Sequence, residues 1–128
     1  GVLVNYLKKD EKNNIVKIVT QSESGAKKAE LEYKVLENKG NLSLLEVELK
    51  TGRSHQIRVQ LNGIGLPIYG DVKYNQKNSG KSKAELALWA GRLEFDHPVT
   101  KQRLVFIASP DSTKEPWNRF YIEKYFVR

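Results

Sequence analysis

Between Leu49 and Gly70 the sequence carries Lys50, Arg53, His55 and Arg58 and no acidic residue. A buried cation without a partner costs several kcal/mol, so this charge must be answered from elsewhere in the fold or by an anionic ligand. Ile57, Leu61 and Ile64 recur at spacings of four and three, which is one face of a helix. Arg58 is displaced about 100° from Ile57 and borders that stripe, so its stem is expected to be partly buried. Taken alone, it fits a structural salt bridge to a distant Glu or a stem that snorkels to water somewhat better than an anion brought by a ligand. Arg53 precedes the helix, where anions are also favoured. The only histidines are His55 and His97. With no cysteine and no histidine pair at helical spacing, they make a poor metal site, and none is expected. His97 before Pro98 reads as turn chemistry, and Asp71 after Gly70 as a structural turn residue.

The elements that position these residues follow from periodicity. "GVLVNYLKK" and "IVKIVT" read as strands around the polar turn "DEKNN". "AELEYKVLE" alternates Leu31, Tyr33 and Val35 against Glu30, Glu32 and Lys34, a half-buried strand. "NKGN" then turns the chain into "LSLLEVELK", giving an antiparallel hairpin. The helix follows, with Ser54 as its expected N-cap, Gly63 and Gly65 as its stop, and Pro67 preventing resumption. "YNQKNSGKSK" reads as a basic loop. "ELALWAGRLEF" reads as a strand through Leu86, Leu88 and Ala90, with Gly91 marking a bulge, and "QRLVFIAS" as a further strand. "EPWNRFYIEKYF" suggests a short aromatic-rich helix. The fold class expected is α+β: a mostly antiparallel mixed sheet with a short helix inserted after a β-hairpin.

The 128 residues suit one domain, residues 1–128, with one core. No apolar run is long enough to span a bilayer, and the absence of cysteine excludes disulfides and thiolate metal sites. A cytoplasmic location fits. A net charge of +7 favours an anionic partner such as nucleic acid, or describes a merely basic surface; only the placement of the charge can decide.

The wording of "TGRSHQIRVQLNGIGLPIYGDVKY" narrows this. It resembles the RluA-type pseudouridine synthases, whose typical form reads Thr-Gly-Arg-Thr-His-Gln-Ile-Arg-Val-His, then Gly-x-Pro-Ile-x-Gly-Asp and a Tyr. The chain matches at Thr51, Gly52, Arg53, His55, Gln56, Ile57, Arg58 and Val59, and again at Gly65, Pro67, Ile68, Gly70, Asp71 and Tyr74. Ser54 replaces Thr, Gln60 stands where His is usual, and Leu66 where His is common. "AELEYKVLE" and "LALWAGRLEFDHPVT" are similar to two further family segments, with Trp89 in a His place. The resemblance covers residues 1 to about 110 and leaves out the aromatic tail.

The resemblance implies part of a catalytic domain that isomerises uridine in RNA, ribosomal or transfer RNA, with no cofactor, metal or membrane. It makes Arg58 the partner of the family's nucleophilic aspartate and Tyr33 the aromatic that stacks on the target uracil. Ile57 and Leu61 would line the base pocket, and Arg53, His55, Lys50 and Lys73 would contact substrate. The family's nucleophile lies in a His-Arg-Leu-Asp-Arg motif that precedes these segments. None of Asp10, Asp71, Asp96 and Asp111 has those neighbours. The chain is therefore expected to be a C-terminal portion, inactive alone, with Arg58 facing a carboxylate outside it. The alternative is a non-catalytic RNA-binding module using the same basic groove.

Overall fold

A computed structural model describes residues 1–75 and 85–127. They fall into two compact units, Gly1–Leu86 and Ala87–Arg128. In the first, β1 (Val2–Asp10), β2 (Ile15–Val19), β3 (Lys27–Lys39) and β4 (Leu42–Leu49) form one sheet in the order β2-β1-β3-β4. Every pairing is antiparallel, so the mixed sheet expected from sequence has no parallel pair among the described residues. The long β3 joins the two hairpins: Leu31 sits opposite Leu3 on one side and Leu49 on the other, and is fully buried.

Helix α1 (Gln56–Gly63) packs on the β1–β2 half of the sheet. Val59 joins Leu7, Val16 and Ala29 in the core, with Tyr74 packed against them. The buried face of α1 differs from the Ile57–Leu61–Ile64 stripe read from sequence. It is made by Gln56, Val59, Gln60 and Leu61, while Ile64 is exposed. Two glutamines enter the core because the sheet offers them acceptors. Gln60 Nε2 donates to Asn5 Oδ1 (2.9 Å) and to the Ala29 carbonyl (3.2 Å), although its Oε1 is left buried without a partner. Gln56 Oε1 accepts from Thr51 Oγ1 (2.8 Å) and from Arg53 N (2.9 Å), and its Nε2 donates to the Glu30 carbonyl (3.1 Å).

That clip curls residues 53–55 into a tight turn, and His55, not Ser54, becomes the N-cap. His55 adopts a left-handed conformation (φ 52°) with no side-chain cap. The C-terminus stops as expected. Gly65 takes φ +80°, its N–H meets the Asn62 carbonyl, and the Leu66 N–H reaches back to the Leu61 carbonyl. This is a Schellman arrangement, in which a left-handed glycine satisfies the last carbonyls.

In the second unit, β5 (Arg92–Asp96) pairs with β6 (Arg103–Ile107). Of the strand expected over "ELALWAGRLEF", the half before Gly91 is irregular and the half after it forms β5; at Gly91 an added Cβ would run into the Phe126 ring. The tail forms two 3-10 turns, Trp117–Arg119 and Ile122–Tyr125, rather than an α-helix.

Replacing Gln56 by Leu keeps the bulk but strands the Arg53 N–H and leaves the Thr51 hydroxyl proton only a long bond to the Glu30 carbonyl (3.4 Å). Unmade buried hydrogen bonds of this kind cost about 1–3 kcal/mol. Urea unfolding of Gln56→Leu should show a loss in that range, and a change below about 0.5 kcal/mol, typical of an inert surface site, would contradict the clip.

Candidate active site

Arg58 finds a carboxylate thirteen positions downstream. Its Nε donates to Asp71 Oδ2 (3.1 Å) and its Nη2 to Asp71 Oδ1 (2.9 Å), a bidentate pair. This corrects the expectation that Arg58 faces only a carboxylate outside the chain. Asp71 Oδ1 also accepts from the N–H groups of Lys73 and Tyr74 (both 3.2 Å). Asp71 is 1% exposed and Arg58 19%. Burial pushes the Asp71 carboxyl up, but the Arg58 guanidinium and the two N–H groups outweigh it and hold it below the ordinary range. The Asp71 bond in turn raises Arg58, which stays a fixed cation.

Tyr74 ties this pair to the sheet and to the start of α1. Its ring lies 5.0 Å beneath the Arg58 guanidinium. Its hydroxyl accepts from Val16 N in β2 (3.1 Å) and lies 2.5 Å from His55 Nδ1. The Tyr74 hydroxyl, while accepting from the backbone N–H, has its proton free to donate to Nδ1 of a neutral His55. Burial, with Arg58, Lys73 and Lys9 nearby, pushes the His55 pKa down, in agreement.

The other residues singled out in the sequence are dispersed. Ile57 is half-buried and Leu61 buried on α1. Tyr33 stands opposite Val47 in β3, half-buried, its ring beside Gly1 and its carbonyl accepting from the chain's amino group (2.8 Å). No bond or ring contact joins Tyr33 to Arg58 among the described residues. Lys50 pairs with Glu48 (2.9 Å), and Arg53 Nε donates to the Lys28 carbonyl (2.8 Å). Lys77, Lys81 and Lys83 of the basic loop lie outside the described residues. His97 accepts at Nδ1 from the N–H groups of Val99 and Thr100 (both 3.1 Å), a turn residue as expected.

All four aspartates are occupied in local structure. Asp10 caps the β1–β2 turn through Lys12 and Asn13, Asp96 pairs with Arg103, and Asp111 accepts from Thr113. Asp71 has a cation beside it, as a nucleophile would need. Yet both its oxygens are engaged and almost no surface is accessible, so it cannot reach a substrate carbon. The sequence reading missed Tyr74 as the hub. The available signal was the Asp-x-x-Tyr spacing, in which an Asp accepts from N–H groups two and three positions on.

A family profile described as RNA pseudouridylate synthase matches residues 1–63, which hold the sheet and α1. The chain is 39% identical over 108 residues to the uncharacterized RNA pseudouridine synthase YlyB of Bacillus subtilis, covering 84% of this chain and 34% of that protein. It is 36% identical over 96 residues to ribosomal large subunit pseudouridine synthase D of Borreliella burgdorferi, covering 75% and 29%. Against tRNA pseudouridine synthase C of Salmonella typhi it is 43% identical over 76 residues, covering 55% and 29%. The chain thus spans about a third of the length of the curated relatives it matches. These relatives are, by name, RNA pseudouridine synthases. The chain belongs to that family, in its RluA-type branch.

The His55–Tyr74 bond carries a pH signature. Since His55 is depressed in the folded state, its contribution to stability is complete above the unfolded value near 6.5. It fades as pH falls through that value toward the folded one, because the unfolded chain then binds the extra proton. Wild type should lose stability between about pH 7 and pH 5. His55→Asn, which tolerates the left-handed backbone, should flatten that decline. Equal slopes in denaturant titrations of the two proteins would refute the neutral, accepting His55.

Proposed function

We propose that this chain is the C-terminal part of the catalytic domain of an RNA pseudouridine synthase, which converts uridine to pseudouridine within RNA. The reading rests above all on Arg58. Asp71 occupies the Nε and Nη2 edge of its guanidinium, while Nη1 makes no bond among the described residues. A half-buried, immobilised arginine with one open edge is suited to a second carboxylate, and a bidentate or shared pair would keep that carboxylate ionised and oriented. In this reading the second carboxylate is the nucleophilic aspartate, supplied by a segment outside these 128 residues. No His-Arg-Leu-Asp motif occurs within them, so the chain alone makes no product.

The reaction requires the target uridine to leave its stack. The aspartate attacks C1′ of the ribose as the glycosidic bond to N1 breaks. The freed uracil turns, C5 bonds to C1′ as the bond to the aspartate breaks, N1 gains a proton and the C5 proton is lost. Tyr33 would stack on the uracil and assist that proton's removal, with Ile57 and Leu61 walling the base. Arg53, His55, Lys50 and Lys73 would serve the RNA around it. The chain's share is positioning and electrostatics, without a cofactor. Relatives named for ribosomal and for transfer RNA are both similar to it, so the substrate is assigned as RNA and no further.

Arg58 now has a structural and a catalytic side, and two variants of the full-length protein separate them. Asp71→Asn weakens the structural pair and leaves the open edge. Arg58→Ala removes both, and stranding a buried carboxylate costs on the order of 3–5 kcal/mol. If borne by the transition state, that is roughly a hundredfold to a few thousandfold in rate. Single-turnover tritium release from C5-labelled RNA, at a temperature where both variants are folded by circular dichroism, should show Arg58→Ala slower by that factor and Asp71→Asn far less affected. Equal losses in the two would reduce Arg58 to a structural residue.

A further inference from the structure

A cleft of about 400 Å³ opens at the entrance to α1, between the β1–β2 hairpin and residues 52–54. Lys9, Lys27 and Arg53 border it, against a single carboxylate, Glu11, over a floor that includes Leu7 and Val16. Glu11 lies 3.7 Å from the Lys9 ammonium, a long contact from a carboxylate that is itself largely open to water, so the pair neutralises little. Lys27 has no ion pair among the described residues. Arg53 is anchored through Nε to the Lys28 carbonyl, and its backbone N–H is held by Gln56, which leaves both terminal amino groups without bonds among the described residues. Three cations around one concavity, one of them pre-positioned, attract an anion rather than each other.

We propose that this cleft binds one nucleotide unit of an RNA strand, its phosphate held by Lys9, Lys27 and Arg53 and its sugar lying over the apolar floor. The volume favours a nucleotide over a bare anion, being in the range of small-molecule sites. Phosphate contacts fix the register of a strand without reading its sequence. Here the register is set from Arg53, five positions before Arg58 on the same segment, so the phosphate site and the reacting centre are tied to one backbone. This rests on the reading of the chain as part of an RNA-modifying enzyme, but Lys9 and Lys27 take no part in that chemistry.

The test is the salt dependence of single-stranded RNA binding by the full-length protein, measured between about 50 and 200 mM salt. Neutralising one phosphate contributes about 0.7 to the slope of log affinity against log salt for single strands. The double variant Lys9→Ala/Lys27→Ala should bind several-fold more weakly and lose about that slope. Lys39→Ala, at the β3–β4 turn, should change neither. A double variant indistinguishable from wild type, or a Lys39→Ala loss as large, would overturn the site. Competition by inorganic phosphate separates the sources. Weak competition at about millimolar phosphate supports an RNA nucleotide, whereas displacement as effective as that by unlabelled RNA would make the cleft a small-anion site. If the slope falls as stated yet the full-length protein forms no pseudouridine, the isomerase reading fails and the cleft stands. If the protein is active and the slope is unchanged, the cleft alone fails.

Discussion

A half-buried guanidinium and a carboxylate withdrawn from water hold the functional region of this chain together. Asp71 does not tolerate its position alone: an unpaired buried charge costs several kcal/mol, and the pair repays it only because the geometry is bidentate and the remaining lone pairs are filled. The Lys73 and Tyr74 N–H groups fill them, and in doing so fix the turn that carries Tyr74 over the core. Tyr74 then passes the constraint to β2 through Val16 and to the start of α1 through His55. One ion pair therefore sets the relation of three segments, residues 55–58, 71–74 and β2.

A second set of polar contacts fixes α1 from below. Gln56 and Gln60 bind the sheet through the Glu30 and Ala29 carbonyls and Asn5, where apolar side chains would allow the helix to slide. Directional bonds of this kind specify one docking where hydrophobic contact alone leaves several. The outcome suits a site that must present a cation at a defined place: Arg58 points from a helix that can neither rotate nor shift without breaking buried hydrogen bonds.

The hairpins were legible in the sequence because their cues are local. Alternation in β3 and β4 and the turn at Gly40 need no knowledge of the rest of the chain. The helix was legible in extent, since Gly65 and Pro67 end it by backbone conformation alone. Its buried face was not, because glutamine enters a core only where carbonyls await it, and those lie on strands thirty positions away. Ser54 looked like the cap because it is a good one, yet the bond from Arg53 N to Gln56 moved the helix start to His55. The partner of Arg58 escaped notice for the same reason: Asp71 comes close only once the turn at Gly65–Gly70 has folded the chain back. The likeness of residues 51–74 to one enzyme family supplied what periodicity could not, a chemistry for the basic stretch. The role proposed for Tyr33 rests on that likeness alone, since its surroundings here are those of an ordinary strand aromatic.

The central claim is that these residues supply the cation and the base pocket, while the nucleophile comes from outside them. It is tested most directly by nucleoside analysis of RNA after incubation with the 128-residue chain and, in parallel, with the protein at its full natural length. The account predicts pseudouridine, an isomer of unchanged mass and altered chromatographic mobility, with the full-length protein and none with the chain. Pseudouridine formed by the chain itself, or none formed by the full-length protein on ribosomal and transfer RNA, would contradict it.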